Sequence, residues 1–183
     1  MNQASICVFC GSRPGTNPAF AEAAQKLGQL LADKNWRLVY GAGDVGLMGA
    51  VARAAQDGGA DTFGVIPTHL LKREVGKTDL TRFVITEDMH ERKKVMFMNS
   101  DAVVILPGGP GTLDEFFEVL TWRQLGLHDK PILVLNIDGF WTPLLELLQH
   151  QVRLGFADDS LLSFFDVVTD MDALTATLTV KLG

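Results

Sequence analysis

The stretch Asp101 to Gln124, DAVVILPGGPGTLDEFFEVLTWRQ, decides how the whole chain is read. Ala102 to Leu106 is short, apolar and β-branched, the composition of a strand buried on both faces. Pro107-Gly108-Gly109-Pro110-Gly111-Thr112 then breaks regular structure, and a helix-forming run carrying Asp114, Glu115 and Glu118 follows. A strand, a glycine turn and a helix start are how an α/β fold builds an anion site, with backbone N–H groups and the positive helix end pointing outward. The stretch therefore sets a phosphate cradle beside carboxylates that could do chemistry.

Outward from it, the same alternation repeats. Ser5 to Cys10 reads as a first buried strand, and Gly11 to Pro18 as a loop in which Asn17 caps a helix and Pro18 takes its first position. Phe20, Ala23, Ala24, Leu27, Leu30 and Leu31 keep helical spacing from Ala19 to Lys34. Strands are expected at Trp36 to Tyr40, Thr62 to Ile66, Arg82 to Thr86, Ile132 to Leu135 and Phe164 to Val168. Helices are expected from the Gly46 turn to about Asp57, from Glu87 to about Ser100, from Gly139 to about Arg153, and from the Asp170 cap to about Leu182. Thr68 to Asp79 reads as a polar loop or short helix. The pattern predicts a single domain over residues 1–183, a doubly wound, Rossmann-like parallel sheet of about seven strands with helices on both faces. In such sheets ligands bind at the carboxyl ends of the strands. That edge gathers five unusual loops: Gly11 to Gly15, Gly41 to Gly46, Thr68 to Glu74, Glu87 to Lys93 and Gly108 to Thr112.

Composition narrows the partners. With 183 residues, 47% hydrophobic and 21% charged, the chain can bury a real core. A net charge of −6 supplies no basic field for nucleic acid or an anionic membrane, so any phosphate must be bound locally. No run approaches the ~20 apolar residues of a membrane span, and no basic-then-apolar leader pattern opens the chain. The cytoplasm is the expected location.

Two motifs invite a different reading. Cys7 and Cys10 form C-x-x-C, but three residues of strand span roughly 10 Å, beyond disulfide reach. No second pair completes a zinc site, so buried structural thiols are expected. Gly41-Ala42-Gly43-Asp44-Val45-Gly46 matches G-x-G-x-x-G. It follows the second strand rather than the first, however, and the next strand lacks the ribose-binding acid at its end, since Asp61 precedes it. The turn, with Gly43 at its centre, is expected to bring backbone close to a ligand rather than to hold NAD.

The motif PGGPGTLDE resembles the PGG-x-GT-x-x-E signature of the Lonely Guy (LOG) family of cytokinin-activating nucleoside 5′-monophosphate phosphoribohydrolases, proteins often labelled lysine decarboxylases. The likeness extends to Cys7-Val8-Phe9-Cys10-Gly11-Ser12, Tyr40-Gly41, Gly46-Leu47-Met48-Gly49, Met89-His90-Glu91-Arg92-Lys93 and Thr121-Trp122-Arg123-Gln124-Leu125-Gly126. The resemblance implies cleavage of an N-glycosidic bond by water, giving free base and ribose 5-phosphate, with no metal or organic cofactor. It makes Arg92 and Glu115 the catalytic pair. It places Lys93, Gly109, Pro110, Gly111 and Thr112 at the phosphate and ribose, with Leu113 and Asp114 beside them and Ser12 and Gly43 on the neighbouring loops. Glu74 and Thr121 match further substrate-contact positions, Met89 would lie near the base, and Thr121 to Gly126 near the contact of a homodimer. Asp114 and Glu118 are also expected to complement the helix dipole.

Two positions depart from the family pattern. Ala42 stands where a glycine is usual, which matters if the position needs positive φ. Pro110 removes a donor from the cradle. The competing reading is a nucleotide sensor or carrier that binds without turnover. The carboxylates Asp114 and Glu115 weigh against it, because unpaired carboxylates repel phosphate. Pyridoxal-phosphate decarboxylation is more distant still, because Lys93 and Lys94 lack a partner set for a Schiff base.

Overall fold

The computed structural model describes residues 3–71 and 76–183. Strands β1 (Ser5–Phe9), β2 (Arg37–Tyr40), β3 (Thr62–Pro67), β4 (Arg82–Thr86), β5 (Ala102–Ile105), β6 (Ile132–Leu135) and β7 (Asp166–Val168) form one sheet. Helices α1 (Pro18–Asp33), α2 (Gly46–Asp57), α3 (Met89–Met98), α4 (Pro110–Gln124), α5 (Thr142–Arg153) and α6 (Met171–Leu182) connect and close it. Every pairing is parallel, in the order β4-β3-β2-β1-β5-β6-β7. The expected doubly wound sheet is therefore present, with seven strands.

Both faces of the sheet are covered, which is why β1 and β5 are buried along their whole length and carry no alternation. Ile6, Val8, Leu38 and Tyr40 pack with residues of α1, α2 and α6, while Cys7, Phe9, Val39 and Ile105 pack with residues of α3, α4 and α5. Cys7 and Cys10 are buried thiols committed to opposite cores and not joined in a disulfide, so the strand-spacing argument holds.

The order reverses beside β1. The chain runs outward through β2, β3 and β4, then returns to lay β5 on the other side of β1. Ligand crevices form at such switch points because the two flanking loops diverge to opposite faces. Phe9 is in register with Ile105, Leu106 N–H donates to Phe9 O at 2.9 Å, and Gly11 N–H donates to Pro107 O at 3.0 Å. The loops after β1 and β5 thus leave the sheet side by side.

Element ends shift where a cap or turn overrides the pattern. Helix α3 starts at Met89 rather than Glu87 because Asp88 is its cap, accepting from Glu91 N–H, while the Glu91 carboxylate accepts from Glu87 N–H, each at 2.8 Å. Helix α5 starts at Thr142, after a 3-10 turn at Ile137–Gly139 in which Asp138 has φ 49°. The last strand begins at Asp166 because a 3-10 turn at Asp159–Ser163 is capped by Phe164. Asn17, Pro18 and Asp170 hold the expected cap and first-turn positions. Among the described residues, no helix is long and apolar enough to cross a membrane.

Candidate active site

Helix α4 begins earlier than the glycine run suggests. Gly109 is its N-cap with extended backbone and Pro110 its first residue, so Gly111 and Thr112 lie inside the first turn. Proline is well placed there, because the first helical N–H has no partner within the helix in any case. The amides of Gly111 and Thr112 are likewise free of intrahelical bonds by helix geometry. A Cβ on Gly109 or Gly111 would meet nothing within 4 Å, so this helix start faces open space.

That space is a cavity of about 550 Å³. Gly109, Pro110, Gly111, Thr112 and Glu115 form one wall, and Gly11 to Gly15 form another. Gly41, Met89 and Arg92 line the floor, and Phe20, Leu47, Met48, Leu70 and Phe140 supply an apolar side. Thr112 and Glu115 are buried, 3% and 9% exposed, and lie on one face of α4.

Arg92 is 4% exposed and brings a guanidinium into the protein. Its position on α3 lets it reach under the sheet edge, where Nη2 donates to Gly41 O at 2.7 Å and Nε to Val65 O at 3.1 Å. Nη1 approaches the Met89 sulfur at 3.7 Å. The guanidinium thus binds the carbonyls at or near the carboxyl ends of β2 and β3, which fixes it in the floor of the cavity. A Cβ on Gly41 would overlap Arg92 Nη2, so glycine is required there by close approach. Gly41→Ala should push the guanidinium out of place. We expect kcat/KM for any reaction at this site to fall at least about tenfold and stability to fall about 1–3 kcal/mol. Steady-state kinetics and thermal unfolding of the one variant check both.

Beyond Gly41, the G-x-G-x-x-G turn serves the site indirectly. Gly46 has φ 59°, and a Cβ there would overlap the backbone of Ser12 and Arg13. Leu47 N–H also donates to Gly11 O at 3.0 Å. The third glycine therefore lets the loops after β1 and β2 pack together. Gly43 is buried, pairs with Gly76 in an isolated antiparallel bridge, and is not on the cavity wall. Ala42 adopts φ 57° while fully buried, so the position is of the kind that favours glycine.

Lys93 does not reach the cavity. Its ammonium is 2.9 Å from Asp114 Oδ2 and 2.7 Å from Glu118 Oε2, which clamps α3 to the first half of α4. Burial draws the Lys93 pKa down, but the carboxylates of Glu118 and Asp114 outweigh it and leave it above the ordinary lysine value. Where a phosphate contact from Lys93 was expected, the structure shows its ammonium in an interhelix ion pair, off the cavity wall. Asp114 and Glu118 are occupied by that ion pair, a task beyond helix-dipole complementation. Lys93→Met should lower stability by about 1–3 kcal/mol, because Glu118, only 21% exposed, loses its partner. Because the folded pKa is raised, the clamp is fully present below the unfolded lysine value. It is lost as pH rises through the folded value, so wild type and variant should converge in strongly alkaline solution. Thermal unfolding against pH measures this.

Leu113 and Thr121 also miss the cavity. At 100° per residue they point away from the face that carries Thr112 and Glu115. Glu74 falls on residues 72–75, outside the described residues. Ser12, Met89, Arg92, Gly109, Pro110, Gly111, Thr112 and Glu115 line this one cavity. Sequence reading missed Arg13, whose only signal was a lone cation in the Gly-Ser-Arg-Pro-Gly loop, and missed the apolar wall of Phe20 and Phe140, whose rings meet edge-on at 5.2 Å.

Cys7 is fully buried and off the cavity wall. Burial, and then the Glu115 carboxylate, push its thiol well above the ordinary range. Among the described residues no group of three or more His, Cys, Asp or Glu side chains could hold a metal ion.

Fold and site together define a doubly wound α/β protein with a helix start open to a cavity and a buried carboxylate at its switch point. The chain belongs to the family described as "Possible lysine decarboxylase", whose model matches residues 48–178. It is 44% identical to "Probable cytokinin riboside 5′-monophosphate phosphoribohydrolase LOG4" of Oryza sativa subsp. japonica, over 96% of this chain and 76% of that protein. It is 47% identical to cytokinin riboside 5′-monophosphate phosphoribohydrolase LOG3 of Arabidopsis thaliana, over 82% of this chain and 70% of that one. The molybdenum cofactor binding protein of Rippkaea orientalis superposes with a TM-score of 0.75 over 100% of this chain and 99% of that one, at 22% identity. That likeness is one of fold.

Proposed function

We propose that this protein hydrolyses the N-glycosidic bond of an adenine-type nucleoside 5′-monophosphate, AMP or a cytokinin riboside monophosphate, to free base and ribose 5-phosphate. One observation carries the reading: the start of α4 and the buried Glu115 carboxylate share one cavity and one helix face. Thr112 and Glu115 are three residues apart, about 4.5 Å along the axis. A 5′-phosphate on the Gly111 and Thr112 amides then brings the attached ribose alongside Glu115. The names carried by the rice and Arabidopsis relatives support the same reaction.

In this reading the bond from C1′ to the base nitrogen breaks with its electron pair leaving on the base. Glu115 stabilises the positive charge that develops on the ribosyl ring and positions the water, as carboxylates do in glycoside hydrolysis. The water's hydroxyl goes to C1′ and its proton to the base. Arg92 orients the sugar and Glu115, and the wall of Phe20, Leu47, Met48 and Phe140 takes the flat face of the purine.

The active unit in this proposal is a cytoplasmic homodimer. Met98, Leu125 and Leu127, each 66–68% exposed, lie at the C-terminal ends of α3 and α4, and the parallel sheet puts those two ends on one edge. Sedimentation analysis tests the dimer. Base release from AMP and isopentenyladenosine monophosphate tests the activity, with Arg92→Ala and Glu115→Ala as controls. Wild-type rates no better than the controls on both substrates would overturn it.

A further inference from the structure

We propose that Arg13 closes over the 5′-phosphate and makes the site select nucleoside monophosphates over unphosphorylated nucleosides, an inference that rests on the function proposed above. The charge balance of the cavity points to it. A phosphate dianion at the start of α4 meets a helix end worth about half a positive charge and sits in the same cavity as the Glu115 carboxylate. Pro110 contributes no N–H. The two basic residues expected to help are committed elsewhere: Arg92 donates to Gly41 O and Val65 O, and Lys93 is held by Asp114 and Glu118.

Among the described residues, Arg13 and Arg92 are the cations on the cavity wall. Arg13 is exposed, and among the described residues nothing accepts a hydrogen bond from its guanidinium or forms an ion pair with it. Its backbone is nevertheless fixed close to the cradle. Gly11 is tied to Pro107 O and to Leu47 N–H, each at 3.0 Å, and a Cβ on Gly11 would lie 3.3 Å from Gly108 Cα. Gly46 packs directly under the Ser12–Arg13 peptide. At the far end of the loop Asn17 accepts from Ala19 N–H at 3.0 Å and donates to Asp138 Oδ2 at 2.7 Å. An arginine rooted beside the glycine turn, with a free planar fork, suits bidentate recognition of phosphate oxygens. It would also shield the dianion from Glu115.

The experiment compares wild type, Arg13→Ala and Arg13→Lys by calorimetric binding of inorganic phosphate and ribose 5-phosphate, and by kinetics on AMP and adenosine. Because the side chain is exposed, the variants should unfold at the wild-type temperature. The expected result for Arg13→Ala is a tenfold to hundredfold loss in affinity for both phosphates. The kinetic loss on AMP should fall on KM, so the preference for AMP over adenosine shrinks by the same factor, and lysine should restore part of it. Unchanged phosphate affinity and KM in a wild-type-active background would overturn the role of Arg13 and leave the proposed reaction standing. Arg13-dependent phosphate binding by an inactive wild type would overturn the reaction and keep the anion clamp. Absence of both activity and phosphate binding in wild type would overturn the two together.

Discussion

Glu115→Gln is expected to lower kcat for base release by about a thousandfold while KM changes by less than about threefold. The substitution keeps the shape of the side chain and removes its charge. What is lost is attraction to a ribosyl cation that exists only as the glycosidic bond breaks, so the ground-state complex is little affected. The burial of Glu115 makes this effect large, because a carboxylate 9% exposed acts through protein rather than water. Asp114, on the next position of the helix, provides the contrast. It is 57% exposed and paired with Lys93, so Asp114→Asn should cost activity less than about tenfold. Single-turnover rates for the two variants separate chemistry from binding. Equal losses in both would place the reacting carboxylate elsewhere.

The second large effect is at Arg92, and it has two parts. Arg92→Ala leaves the carbonyls of Gly41 and Val65 without their donor in a buried setting, at about 1–3 kcal/mol each. It also removes the group proposed to orient the sugar, so kcat/KM should fall a further hundredfold to thousandfold beyond what unfolding explains. Arg92→Lys distinguishes the parts. An ammonium keeps the charge but cannot span two carbonyls with a planar fork. It should recover part of the stability and little of the activity. Thermal unfolding beside kcat/KM reads this; an alanine variant with wild-type stability and less than tenfold loss of rate would show that the guanidinium is peripheral.

Much of this site was legible in the chain because its logic is local. The buried runs at Val103–Ile105 and Ile6–Phe9 and the Asn17 and Asp170 caps each follow from the residues within one turn, whereas the Asp88 cap and the helix start at Pro110 do not show in the pattern. Thr112 and Glu115 share a face by helical spacing alone. What could not be read is what depends on side chains meeting across elements. Lys93 and Asp114 lie on different helices, and their pairing follows only from how α3 packs beside α4. For the same reason the basic pair Arg92-Lys93 divides, one side chain turning into the cavity floor and its neighbour toward α4. Leu113, Thr121 and Gly43, named from the family resemblance, do not line this cavity, because helix phase and a β-bridge turn them elsewhere. Ala42 shows the opposite case: a condition stated from sequence, positive φ, is met at that position.

The central claim is that the bond broken is the one between ribose C1′ and the base. Chromatography with mass detection of a small panel, AMP, isopentenyladenosine monophosphate and their nucleosides, tests it most directly. Wild-type protein should convert the monophosphates to equimolar free base and ribose 5-phosphate, and Glu115→Gln should leave them at background. Recovery of intact nucleotide despite saturable binding, or release of inorganic phosphate with the nucleoside left whole, would contradict it.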